Sequence, residues 1–212
     1  MSIRDIHRLL AENYDVYGWW PYADAWDVMV GAILTQQTSW SNVVRVMDDM
    51  RRCGLGSIEQ VAEADPQDLR DVVRPCGFFR QKAERLRSLA IHFIECYDGD
   101  PMQLLGRDDA RRLLLRRQGI GPETADSILL FAAGRPYFVA AAYCGRVLVR
   151  TGVLEDTDYH VVQEEVHGTL GRDPEVLAEF YALLVEHAKR HCRSRPLCGG
   201  CPLEAGCRFT TG

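Results

Sequence analysis

The sequence predicts an all-α protein with a metal-binding loop as a C-terminal appendix. Three observations carry that expectation. Apolar residues recur at three- and four-residue spacing in six separate segments. Strong two-residue alternation, the pattern of a half-buried strand, is absent. Short loops carrying Gly, Pro and Asp separate the segments, with no low-complexity linker and no long-period repeat.

The helical segments come in order at 26–34, 43–50, 86–93, 125–132, 139–149 and 176–185. Trp26 sits on the apolar face of the first and is expected in the core. Between the third and fourth lies LLLRRQGIGPETA, residues 113–125. Its amphipathic part is expected to end at Gln118. Gly119, Ile120 and Gly121 follow, and Pro122 opens a new helix at the first helical position, with Glu123 as a first-turn acid. Both glycines are expected at positive φ in a tight hairpin, with Ile120 plugging it. Such a hairpin points backbone N–H groups outward at a helix N-terminus, which makes a sequence-independent phosphate site.

The chain closes on Cys192, Cys198, Cys201 and Cys207, broken by Pro196, Gly199, Gly200 and Pro202. Four thiolates at this spacing can wrap a tetrahedral zinc or a four-iron, four-sulfur cluster. Zinc sites usually pair two Cys-x-x-Cys knuckles or mix Cys with His. Here one tight pair has two outlying ligands at equal, wider spacing, which suits the larger cuboidal cluster. Disulfides are disfavoured because no signal peptide precedes the chain. Cys53, Cys76, Cys96 and Cys144 lie in apolar-periodic segments and are expected as reduced core thiols in a cytoplasmic protein.

A length of 212 residues suits one large domain or two small ones, and 47% hydrophobic content is enough for a core. No apolar run approaches the ~20 residues that span a bilayer. A net charge of −5 argues against coating nucleic acid by bulk charge but leaves room for a local basic face. Basic runs occur at 74–87, 111–117 and 189–195. Each alone reads as a solvated face; two flank the hairpin and the cysteine loop, where phosphate contact becomes plausible.

At these residues the chain resembles a known family. GIGPETADSILLFA is similar to the helix-hairpin-helix of the endonuclease III superfamily of DNA glycosylases, and the cysteine loop resembles that family's iron–sulfur loop, with a first gap of five residues where six is usual. VGAILTQQTSWSNV, residues 30–43, and PCGFFRQKAERLRSLA, residues 75–90, resemble further family segments, so the likeness runs from about residue 20 to 207. It implies a two-lobed all-α fold, with a six-helix barrel at 25–134 and a second lobe from 1–24 and 135–212. It also implies a 4Fe-4S cofactor, double-stranded DNA with a damaged base as partner, a monomer, and a place at the nucleoid. The hairpin, with Gly119, Ile120, Gly121 and Thr124, would grip phosphates; Arg193 and Arg195 on the cluster loop could meet others. Gln37 aligns with a residue that fills the gap left by a flipped nucleotide.

Excision builds positive charge on the sugar, so a carboxylate near C1′ is needed. The family's motif places an aspartate two residues before a tyrosine, and in VAAAYCGR that position is Ala141. A natural variant and an engineered Asp→Ala change both give this residue, and either leaves a chain that binds better than it cleaves. Asp158, Asp126 and Glu123 are candidate substitutes. The lysine that makes bifunctional members nick the strand is replaced by Glu123, which implies a monofunctional enzyme. Trp19, Trp20 and Pro21, followed by Tyr22, with Trp40 after the Gln-rich turn, resemble the branch that removes N-alkylated purines; indoles stack well on such electron-poor bases. The same tryptophans could instead serve packing. Two alternatives remain: a non-catalytic DNA-damage or DNA-structure binding protein on this scaffold, and an iron–sulfur electron-transfer module.

Overall fold

The computed structural model describes residues 1–21 and 24–209. Tyr22 lies outside the described residues. Twelve α-helices run along the described chain: α1 Ile3–Ala11, α2 Ala25–Leu34, α3 Trp40–Arg52, α4 Ile58–Glu63, α5 Pro66–Val73, α6 Phe79–Tyr97, α7 Pro101–Leu105, α8 Ala110–Leu115, α9 Pro122–Ala133, α10 Ala142–Arg150, α11 Tyr159–Leu170 and α12 Pro174–Arg190. No strand occurs among the described residues. None of the helices is long and apolar enough to cross a membrane.

The chain divides into two compact units, Tyr22–Ala133 and Met1–Pro21 with Gly134–Gly212. In the first, α2 is the central element. Asp24 caps it by accepting from the amides of Trp26 and Asp27, and every residue from Val28 to Leu34 is buried. Helix α2 packs on α9, and α4 and α5 pack on α6. Trp26 is 4% exposed, as its apolar-face position requires.

Lys82 lies in the middle of a basic run that reads as solvated, yet it is 1% exposed. Its Nζ donates to the carbonyls of Leu34 at 2.9 Å and Cys76 at 2.7 Å. It thus closes the C-terminus of α2, where helix carbonyls lack intrahelical partners. Burial lowers its pKa.

In the second unit, α12 packs on α10 and α1, and α11 on α1. Residues 139–141 are not helical: Ala141 has φ −57° and ψ 157°, and the helix begins at Ala142. The residue just before this segment, Phe138, has both of its backbone polar groups satisfied from a distance. The Phe138 amide donates to His167 Nε2 at 2.9 Å, and Gln163 Nε2 donates to the Phe138 carbonyl at 2.7 Å. Side chains of α11 thus hold the chain extended at Phe138, ahead of the start of α10. Among the four cysteines outside the C-terminal loop, Cys76 and Cys144 are buried, but Cys53 and Cys96 are exposed, against the expectation of core thiols. Both exposed residues lie at or near helix C-termini on solvent-facing positions.

Candidate functional site

The hairpin between α8 and α9 is built as a braced corner. Helix α8 ends at Leu115, three residues before the sequence pattern suggests. Ile120 is 6% exposed and plugs the corner. Gly119 has φ +82°, and an added Cβ would collide with the Arg85 side chain. Gly121 differs from expectation: it is not among the positive-φ glycines, and nothing lies within 4 Å of where its Cβ would be. Its openness leaves the backbone at the start of α9 approachable, which is what a phosphate requires of a helix N-terminus.

Three side chains hold this corner. Arg85 Nη1 donates to Gln36 Oε1 at 2.8 Å, and Gln36 Nε2 donates to the Gly119 carbonyl at 3.0 Å and Thr124 Oγ1 at 3.1 Å. Thr124 is 8% exposed, so its hydroxyl serves this brace and faces inward. Beneath it, Arg111 clamps Asp126 with two bonds, Nε to Oδ1 at 2.7 Å and Nη2 to Oδ2 at 3.0 Å. Asp126 is fully buried. This fork-to-carboxylate pair ties α8 to α9.

Gln37, one residue on from the brace, is exposed and sits at φ +55°. A non-glycine residue in the left-handed region is strained, and such strain concentrates at ligand-contacting turns. Trp40 opens α3 and is half-buried. Trp19 and Trp20, in the other unit, lie with ring centroids 6.2 Å apart. Trp19 also meets Tyr181 edge-on at 5.5 Å and has Lys189 Nζ over its ring at 5.4 Å. Both indoles are half-buried, and Pro21 beside them is exposed.

Of the candidate carboxylates, two have other duties. Asp126 is paired with Arg111, and Asp158 caps α11 by accepting from the amides of His160 and Val161. Glu123, in the first turn of α9, is exposed, and desolvation by surrounding protein raises its pKa. Ala141 is 2% exposed and occupies the N-cap of α10 with no side-chain bond to the helix. An aspartate there would meet the free amides of the first turn.

The cysteine loop follows α12. Cys192, Cys198, Cys201 and Cys207 line one largely apolar cavity. Among the described residues no three His, Cys, Asp or Glu side chains come close enough to hold one metal ion. Arg150, which the sequence reading passed over, organises the loop: it donates to Cys192 Sγ at 3.6 Å and to the carbonyls of Arg193 and Ser194. Arg146 Nε donates to the Cys192 carbonyl at 2.9 Å. Their spacing, four apart on α10, is the only sequence sign that they share a face. Arg193 and Arg195 are exposed, but Arg193 Nε is bonded to the Lys189 carbonyl at 2.7 Å.

Residues 30–170 match the HhH-GPD superfamily base excision DNA repair protein family. The chain belongs to this superfamily. A protein of Methanocaldococcus jannaschii named as a candidate DNA repair glycosylase is 37% identical over 97% of this chain and 95% of its own length. The thymine-DNA glycosylase of Aeropyrum pernix is 30% identical over 98% of this chain and 95% of its own. The structure of H. pylori 3-methyladenine DNA glycosylase (MagIII) bound to 1,N6-ethenoadenine superposes with a TM-score of 0.75 at 24% identity, covering 90% of this chain and 98% of that one. The HhH-GPD fold, a DNA N-glycosylase family and a base-excision repair setting are thereby fixed for this chain.

Proposed function

We propose that this HhH-GPD chain grips damaged duplex DNA through the 116–121 hairpin and that, with Ala141 in place, it binds a flipped base better than it excises one. The carrying observation is the buried, uncapped N-cap at Ala141. A forming oxocarbenium ion needs a fixed negative charge, and this position offers only a methyl group. Asp126 and Asp158 are engaged elsewhere, which leaves Glu123 as the remaining carboxylate of the three. Without a lysine at position 123, no Schiff base can form there, so any excision would leave an intact abasic strand.

The substrate class we favour is an N-alkylated purine, read by Trp40 and by Trp19, Trp20 and Pro21, with Gln37 filling the vacated stack. Stacking of an electron-poor base on indoles accounts for this choice. A thymine is the second reading, favoured by the relative of that specificity at 30% identity over nearly the whole chain. The hairpin backbone at 119–121, with Arg195 and the Arg193 terminal nitrogens on the loop, would carry phosphate contacts.

The cysteine loop would hold a 4Fe-4S cluster. Four thiols line one cavity, and a 4Fe-4S cube takes one thiolate at each iron corner. Such a cluster serves as a structural clamp; Arg150 supplies positive charge beside the Cys192 thiolate.

The test is Ala141→Asp. Restoring one preorganised carboxylate should raise release of 3-methyladenine from alkylated duplex by at least tenfold, a modest part of the 10²–10³ such groups typically supply (about 2.7–4 kcal/mol). Chromatography of free base, with thymine-mismatch duplex in parallel, ranks the two substrate readings. An inert Ala141→Asp on every duplex would instead favour a non-catalytic damage-binding protein, and a fast unmodified chain would refute Ala141 as the decisive position.

A further inference from the structure

On the side of the first unit where α5, α6 and the entry to the hairpin meet lies a cavity of about 440 Å³. Arg70 from α5, Arg87 from α6 and Arg117 from the hairpin entry all line it. In each of the three the Nε–H is cut off from water and has no hydrogen-bond partner. Those Nε–H groups are out of reach of the cavity itself, so what the three arginines can offer to it is their terminal nitrogens. Arg70 does spend one terminal nitrogen on Glu84, at 3.3 Å.

The charge balance agrees. Three arginines outnumber Glu84 and Glu95, the two acids lining the cavity, by one charge. His92 lines it too; burial first, and then the nearby Arg117, lower its pKa against the opposing pull of Glu95. Guanidinium groups from three different elements converge on one space. A carboxylate has two oxygens and would satisfy one or two of them; a phosphate has enough acceptors for all three. The volume exceeds a bare anion and leaves room for an attached sugar.

We propose that this cavity is a second phosphate-binding site, separate from the hairpin amides, that takes a phosphate group through Arg70, Arg87 and Arg117. The phosphate could belong to DNA running past the hairpin or to a free phosphorylated small molecule. Neither source depends on the catalytic reading of Ala141 or on the choice of base.

Three proteins test it: the unmodified chain, Arg87→Gln and Glu95→Gln, each checked for folding by circular dichroism. Thermal melts are run in chloride against inorganic phosphate and against deoxyadenosine monophosphate at matched ionic strength. Duplex affinity is measured across salt concentrations. A free-phosphate site predicts a rise in melting temperature with either phosphate, diminished in Arg87→Gln and enlarged in Glu95→Gln. A DNA-backbone site predicts no such rise, but a salt slope shallower by about one in Arg87→Gln, and tighter duplex binding in Glu95→Gln. If both variants fold and neither measurement responds, the site does not exist. If Arg87→Gln fails to fold, Glu95→Gln decides alone: unchanged phosphate and duplex affinity there overturns the proposal. Base release by Ala141→Asp is read separately, so loss of that activity does not touch this result.

Discussion

At the residue scale, the two hairpin glycines look alike in sequence and differ in what the backbone asks of them. Gly119 needs its missing Cβ twice, for φ +82° and for the space that Arg85 fills. Gly119→Ala should therefore cost about 1–3 kcal/mol of stability in urea denaturation, the usual toll of a non-glycine residue in a sparsely populated region. Gly121 needs it for neither, and Gly121→Val should move stability by less than about 0.5 kcal/mol, as surface changes do. If the backbone here approaches phosphates, the same valine should still weaken duplex binding. Glu123 carries a different signature. Its native pKa is raised by desolvation, so the unfolded chain gives up this proton first as pH rises. Stability then falls as pH climbs from the ordinary carboxylate range through the raised native value. Glu123→Gln removes that loss: it should melt higher than the parent at neutral pH, and the gap should close in acid. A gap of the same size at every pH would contradict the desolvation assignment.

At the scale of elements, α8 and α9 form one device because Arg111 and Asp126 lock them. Asp126→Asn leaves a partly buried guanidinium without its counter-charge, and should cost about 3–5 kcal/mol. Replacing both partners by apolar residues of similar volume should cost much less, which a double-mutant cycle in denaturant would show. The existence of this pair of helices, the start of α9 at Pro122 and the burial of Ile120 are legible in the sequence, because capping chemistry and local periodicity are short-range. What escapes is set by distant partners. The apolar run at 139–141 mimics helix periodicity, but His167 and Gln163 hold the preceding residue, Phe138, in an extended stretch. Lys82 reads as surface charge until the carbonyls of Leu34 and Cys76 meet its amine. Gln36 and Gln37 are neighbours of the same type; only the fold makes one a brace and leaves the other exposed at positive φ. Arg150 lies 42 residues from Cys192, and no local signal joins them.

At the scale of the whole molecule, the net charge of −5 means that any DNA affinity must come from local groups. The cysteine loop is where the chain's own packing is thinnest. Residues 191–209 contain only a three-residue 3₁₀ turn, Glu204–Gly206, and just one fully buried apolar side chain, Leu203. So little core cannot offset the entropy of ordering that many residues, which runs to about 1–2 kcal/mol for each backbone unit. Its ties to the rest of the unit include the Arg146 and Arg150 bonds, the Phe209 amide on the Arg150 carbonyl at 3.0 Å, Arg150 stacked on the Phe209 ring, Cys207 Sγ on the Arg150 carbonyl at 3.4 Å, and a 3.7 Å contact of Cys201 Sγ with His187 Nε2. Most of these hold the two ends of the loop, and the Cys201–His187 contact alone among them reaches its middle. A shared inorganic centre would hold the middle, where Cys198 and Cys201 lie. The purified protein should then be yellow-brown, with iron and sulfide in equal amounts, about four of each per chain. Cys198→Ser should bleach it and open residues 191–209 to proteolysis, while α1–α9 keep their helical signal and Gly121→Val leaves the colour unchanged. A colourless protein carrying one zinc would exclude the cluster. A colourless, metal-free protein whose loop still resists protease would show that the two arginine anchors suffice by themselves.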